Sequence, residues 1–233
     1  MSEGNNNTNF LSTITLGASL HIFGKAVINV LGFLLQLVLT RGLGSGLYGV
    51  YAYGNTILKI ALVFTTLGSG KSLLRYLPKY EDNPVKRQFA FGLALLTSFI
   101  GALLTAGGLF VFAPTISGWT LDQPEFVPVL RLFSVLLISD TIARVIYSVF
   151  RSLERVEYEV LTNKITRPVF RLSAVVLALG VGFSLLGVMI ALIAASLLTI
   201  GVAVYFLLTR FDLRPSICFD QTSKKEVVEY YNY

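Results

Sequence analysis

Residues 168–208 read PVFRLSAVVLALGVGFSLLGVMIALIAASLLTIGVAVYFLL, with no acidic side chain and Arg171 as the single charge. One helix of that length would reach about 60 Å, twice the roughly 30 Å of a bilayer's hydrocarbon core. The stretch therefore folds back on itself, and Gly180, Gly182 and Ser184 near its middle supply the reversal. It reads as two helices, near 164–181 and 185–208. Outward from it, residues 14–39, 47–67, 89–112 and 127–150 are each apolar over about the 20 residues that a span requires. The reading is an all-α polytopic membrane protein of six transmembrane helices. It has a polar tail at 1–13, a membrane unit at 14–208 and a second tail at 209–233.

Composition agrees. Of 233 residues, 54% are hydrophobic and 14% charged, against about a quarter charged in soluble domains. Mean hydropathy is +0.70. A net charge of +6 would suit nucleic acid, but the cations sit in short clusters between apolar runs, where anionic lipid head groups meet them. Membrane lipids are the expected partners, and nucleic acid is not. One cysteine, Cys218, and one histidine, His21, leave no intrachain disulfide and no metal site to assemble. The polar start, 1–10, has no Lys or Arg, so the first apolar segment reads as a retained helix and not as a signal peptide.

Positive charge orients the spans. Lys71, Arg75, Lys79, Lys86 and Arg87 lie between helices 2 and 3; Arg151, Arg155, Lys164, Arg167 and Arg171 between helices 4 and 5; Arg210, Arg214, Lys224 and Lys225 follow helix 6. The opposite loops hold little beyond Arg41, and 113–126 is aromatic and acidic, with Trp119, Asp122 and Glu125. Both termini are expected in the cytoplasm.

Polar groups inside spans are costly and face a bundle interior or water. At 100° per residue, His21, Lys25, Asn29, Gly32 and Gln36 share one stripe of helix 1. Tyr51, Asn55 and Lys59 share a side of helix 2, and Asp140, Arg144, Tyr147 and Arg151 a face of helix 4. The stripe reads as a cavity wall, with hydrogen bonding between helices as the alternative. Asp140 and Arg144, four residues apart, can pair along their helix, either as a structural ion pair or in contact with substrate. Cations dominate these positions, so a cavity lined by Lys25, Asn29, Gln36, Lys59, Asp140 and Arg144 favours an anionic guest such as a phosphate or pyrophosphate. Gly68-Ser69-Gly70-Lys71-Ser72 is no phosphate-binding loop: Thr65 stands where the motif needs glycine, and a membrane helix precedes it. No catalytic set forms around His21. No enzyme activity and no cofactor are expected.

RGLGSGLYGVY at 41–51 resembles the R-x-L-G-x-x-x-Y-G-x-Y stretch of oligosaccharide flippases of the polysaccharide-transporter family. Gly24-Lys25, RYLPKY at 75–80, and FRSLER at 150–155 continuing to Arg167-Pro168 are similar too, so the resemblance covers most of 15–175. It implies the superfamily of multidrug exporters and the lipid II flippase, in which two six-helix lobes enclose a central cavity. It implies flipping of a lipid-linked oligosaccharide across the plasma membrane by alternating access, for polysaccharide or glycoprotein glycan biosynthesis. This chain would supply the N-terminal lobe, with 223–233 resembling the approach to a seventh helix, and a second lobe or a second copy would complete the cavity. Lys25, Asn29, Lys59 and Arg144 would meet the head group, Arg41 would lie near the outer mouth, and Arg151 and Arg155 near the inner one. An organic-cation exporter of the same superfamily and a non-transporting scaffold for glycan-assembly enzymes are the alternatives.

Overall fold

The computed structural model describes the backbone of residues 3–66, 69–80, 83–121 and 123–211, and the side chains from 22 onward within them except at 69 and 76. These residues form helices and no strand: α1 (Glu3–Thr65), α2 (Ser69–Tyr76), α3 (Pro84–Val111), α4 (Ala113–Trp119), α5 (Phe126–Ser152), α6 (Val156–Glu159), a π-helix (Val160–Thr166), α7 (Arg167–Gly180) and α8 (Leu185–Phe211). Four helical stretches, Ile22–Thr65, Pro84–Val111, Phe126–Ser152 and Leu185–Phe211, are long and apolar enough to cross a membrane. Among the described residues the chain has no strand, and it is a helical membrane protein. The tail from 212 onward, with Cys218 and 223–233, lies outside the described residues, as do the side chains of His21 and Asp122.

The expected six helices and these four stretches differ at two places. The first is α1, where residues 22–65 form one stretch of 44 residues. Straight, it would run about 66 Å. Its backbone leaves helical geometry at Gly44 (φ 76, ψ 169), a left-handed conformation that glycine adopts without a Cβ penalty. The packing shows that the chain reverses there. Asp140 of α5 pairs with Arg167 and Arg171, and Arg151 with Glu159, so α5 runs antiparallel to α7 and the turns before it. Gly24 packs on Val160 and Lys164 and Gly42 on Leu179, which makes the first half of α1 parallel to α7. Gly54 packs on Phe133, and Thr65 bonds Thr141, which makes the second half parallel to α5. The reversal thus falls at Gly44, within the glycine-rich stretch 42–49.

The second place is 156–180. Pro168, near the start of α7, has no N–H and crowds the preceding turn. The π-helix Val160–Thr166 stands just before it, and the wider turns accommodate the proline. α7 itself keeps 14 residues. The predicted reversal after it is present, with α7 ending at Gly180, Gly182 at φ 88 and α8 starting at Leu185.

The buried face of α3 is almost entirely small: Ala90, Gly92, Ala94, Ser98, Gly101, Ala102 and Ala106. Lipid tails are as apolar as leucine, so membrane helices associate through such close packing and not through hydrophobic expulsion. Two apolar clusters result. One gathers around Phe126, Phe133, Leu137, Met189 and Leu192, the other around Leu73, Phe91, Ile146, Phe150 and Leu207. Between them α5 buries Ser139, Asp140 and Thr141, and α8 buries Ser196 and Thr199. A polar layer crosses the middle of the bundle.

Candidate functional site

Beside that layer lies a cavity of about 670 Å³, within the usual range of small-ligand sites. α5 presents Arg144, Tyr147, Ser148 and Arg151 to it, at the three- and four-residue spacing that keeps side chains on one helix face. The end of α1 contributes Leu62, the residue after it Thr66, α2 contributes Gly70 and Lys71, and Asn163 and Arg167 close the far wall. α2 is held by Leu73, which is fully buried. Gly70 lets it approach α5 closely, because a Cβ there would stand 3.0 Å from Ser148 Oγ.

Among the described residues, every ionisable group in the wall apart from Tyr147 is a cation: Lys71, Arg144, Arg151 and Arg167. Glu159, buried behind them, lies 3.5 Å from Arg151 and accepts from Asn163 at 3.3 Å. Guanidinium groups in a confined space offer planar, charge-assisted donors to a phosphate-class anion.

Asp140 stands behind this wall. Its carboxylate accepts from Arg171 Nη2 at 2.8 and 3.0 Å and from Ser196 Oγ at 3.2 Å, and lies 2.6 Å from Arg167 Nη2. The expected partner, Arg144, is instead exposed on the cavity face. A buried carboxylate in a membrane needs full pairing, and two arginines from the facing helix satisfy it better than one on its own. Sequence reasoning assigned Arg167 and Arg171 to the 4–5 loop and missed this role. The available signal was their own four-residue spacing, which puts both on one face of α7, opposite the single acid in the predicted spans. Two donors in this region have no hydrogen-bond partner, Tyr147 Oη and Arg171 Nε.

The remaining predicted residues lie elsewhere. Lys25, Asn29, Gln36 and Lys59 are exposed on α1 and do not line this cavity. Arg41 is exposed just before the Gly44 reversal, and Arg155 is exposed, 3.6 Å from Glu157. Among the described residues the structure thus brings together Arg144 and Arg151 of the predicted set, adding Lys71, Tyr147, Asn163 and Arg167. No cluster of three metal-ligating side chains occurs among the described residues.

Comparison with known proteins gives one match. A search of curated proteins and a search of solved structures each found no similar protein. A family model described as polysaccharide biosynthesis protein matches residues 14–230, taking in both halves of α1, the cationic cavity and the polar layer. The chain belongs to the polysaccharide biosynthesis protein family.

Proposed function

We propose that this chain is one lobe of a flippase that carries lipid-linked oligosaccharides across the plasma membrane by alternating access. The observation that carries the reading is the cavity wall, where, among the described residues, Lys71, Arg144, Arg151 and Arg167 stand with no acidic residue among them. Such a wall suits the phosphate or pyrophosphate that joins a sugar chain to its lipid, and it disfavours organic cations. The lipid tail stays in the bilayer, the head group crosses, and no covalent bond changes.

In this reading the chain crosses the membrane six times. The two halves of the 22–65 stretch count separately because they reverse at Gly44, and the π-helix together with α7 forms the fifth span. Positive charge then sets both termini, and the cavity, on the cytoplasmic side. The exposed stripe Lys25, Asn29 and Gln36, with Lys59, faces a central aqueous space that a second lobe or a second copy completes, because lipid does not tolerate such a face.

The test is a proteoliposome assay in which a membrane-impermeant reagent reads how fast a fluorescent lipid-pyrophosphate oligosaccharide changes leaflet. Arg144→Gln combined with Arg151→Gln slows flipping by about tenfold or more, as expected for losing two charge-assisted contacts. An unchanged rate, or a covalently altered substrate, would overturn the reading.

A further inference from the structure

Arg167 belongs to two structures at once. It lines the cavity, and it also lies 2.6 Å from buried Asp140. Arg171 holds the same carboxylate through both oxygens, with Ser196 adding a third bond, and Arg171 is not in the wall. One carboxylate thus serves two guanidinium groups, and one positive charge is left over. Like charges this close repel strongly where water is scarce. Without Arg167, Asp140 and Arg171 would form a neutral, hydrogen-bonded pair. The surplus cation is therefore Arg167, the one that can reach the cavity.

Two further observations point the same way. Tyr147, only 2% exposed, lines the cavity, and its hydroxyl has no partner. An unsatisfied buried donor calls for an acceptor. Arg167 also sits between the π-helix and Pro168, where the missing proline N–H and the wide turns leave the backbone least constrained.

We propose that Arg167 is an exchanging ligand, paired with Asp140 when the cavity is empty and transferred to the anion when a phosphate-class group enters, with Tyr147 donating alongside it. Arg171 and Ser196 keep Asp140 satisfied throughout. Occupancy then loosens one tie between α5 and α7, which converts anion binding into a change in helix packing. This rests on the cavity being the head-group site, and it adds which residue senses the head group and how.

The experiment titrates the full chain in nanodiscs with inorganic pyrophosphate, and separately with geranylgeranyl pyrophosphate. Arg167→Gln should fold, because Asp140 keeps Arg171, and should weaken pyrophosphate binding about tenfold. Arg171→Gln is the distinguishing variant. Asp140 then needs Arg167, so binding should also weaken about tenfold, although residue 171 does not touch the cavity. Hydrogen exchange in 160–170 should quicken when pyrophosphate is added to the wild type and stay unchanged in Arg167→Gln. If Arg144→Gln weakens binding while Arg167→Gln and Arg171→Gln keep the wild-type Kd and the wild-type quickening of hydrogen exchange on adding pyrophosphate, the ligand exchange is overturned and the head-group reading stands. If pyrophosphate does not bind the wild type, both fail. Tighter binding of the prenyl compound identifies a lipid-borne head group as the ligand, and equal binding identifies the free anion.

Discussion

α5 and the 22–65 stretch are both apolar helices with polar groups inside them, and they treat those groups in opposite ways. In the most apolar part of α5, 61% of residues are buried within the bundle; in that of Ile22–Thr65 the share is 11%. α5 turns Asp140 inward, where Arg167, Arg171 and Ser196 hold it. The other stretch leaves Lys25, Asn29, Gln36 and Lys59 exposed. A charge facing hydrocarbon at mid-helix costs about 3 kcal/mol or more. The difference teaches that charge within a span carries two messages. Charge closed off inside the bundle holds the helices together, whereas charge left open marks where the bundle meets water, a ligand or another chain.

The largest effect that could break this comparison is Asp140→Leu, which strands two arginines in the polar layer. It should destabilise the protein by about 3–5 kcal/mol, read as a fall in Tm in detergent. Lys59→Met should change stability by no more than about 0.5 kcal/mol, while slowing flipping in proteoliposomes. Equal losses of Tm in the two variants would erase the distinction.

Smaller effects sharpen it at the joints. A side chain at Gly42 collides with Leu179, so Gly42→Leu should cost about 1–3 kcal/mol by overpacking α1 against α7. Gly44→Ala strains the reversal, where φ is 76, and should cost about 1–2 kcal/mol by the same thermal measurement. Thr141→Val removes the 2.9 Å bond to Thr65 and should cost only about 0.6 kcal/mol, the usual worth of such bonds between membrane helices.

Much of this architecture was legible in the sequence because glycine and apolar length obey local rules. The reversal at 180–184 stands where glycines interrupt a run too long for a bilayer, and the one at Gly44 falls between two segments read as separate spans. The π-helix was not legible: Pro168 marks a disturbance, but whether a helix kinks, stops or widens depends on what packs against it. The pairing of Asp140 was hidden for a related reason. Spacing along α5 offered Arg144, while the true partners come from a facing helix, and tertiary neighbours are not written in local periodicity. The place of the cavity was legible only in part. Arg144, expected in a cavity, does line the wall, yet α2, read as part of a loop, supplies Lys71 to it.

The claim that the cavity is an electropositive, water-filled chamber can be tested directly with a cysteine reporter at Ser148, in a chain whose single native cysteine is removed by Cys218→Ser. Ser148→Cys keeps every charge in the wall. It should react with an anionic sulfonate thiol reagent about tenfold faster than with a cationic trimethylammonium reagent of equal size, a ratio that falls as salt screens the field. Lipid-pyrophosphate oligosaccharide should protect it. Equal rates, or faster reaction with the cation, would contradict the account.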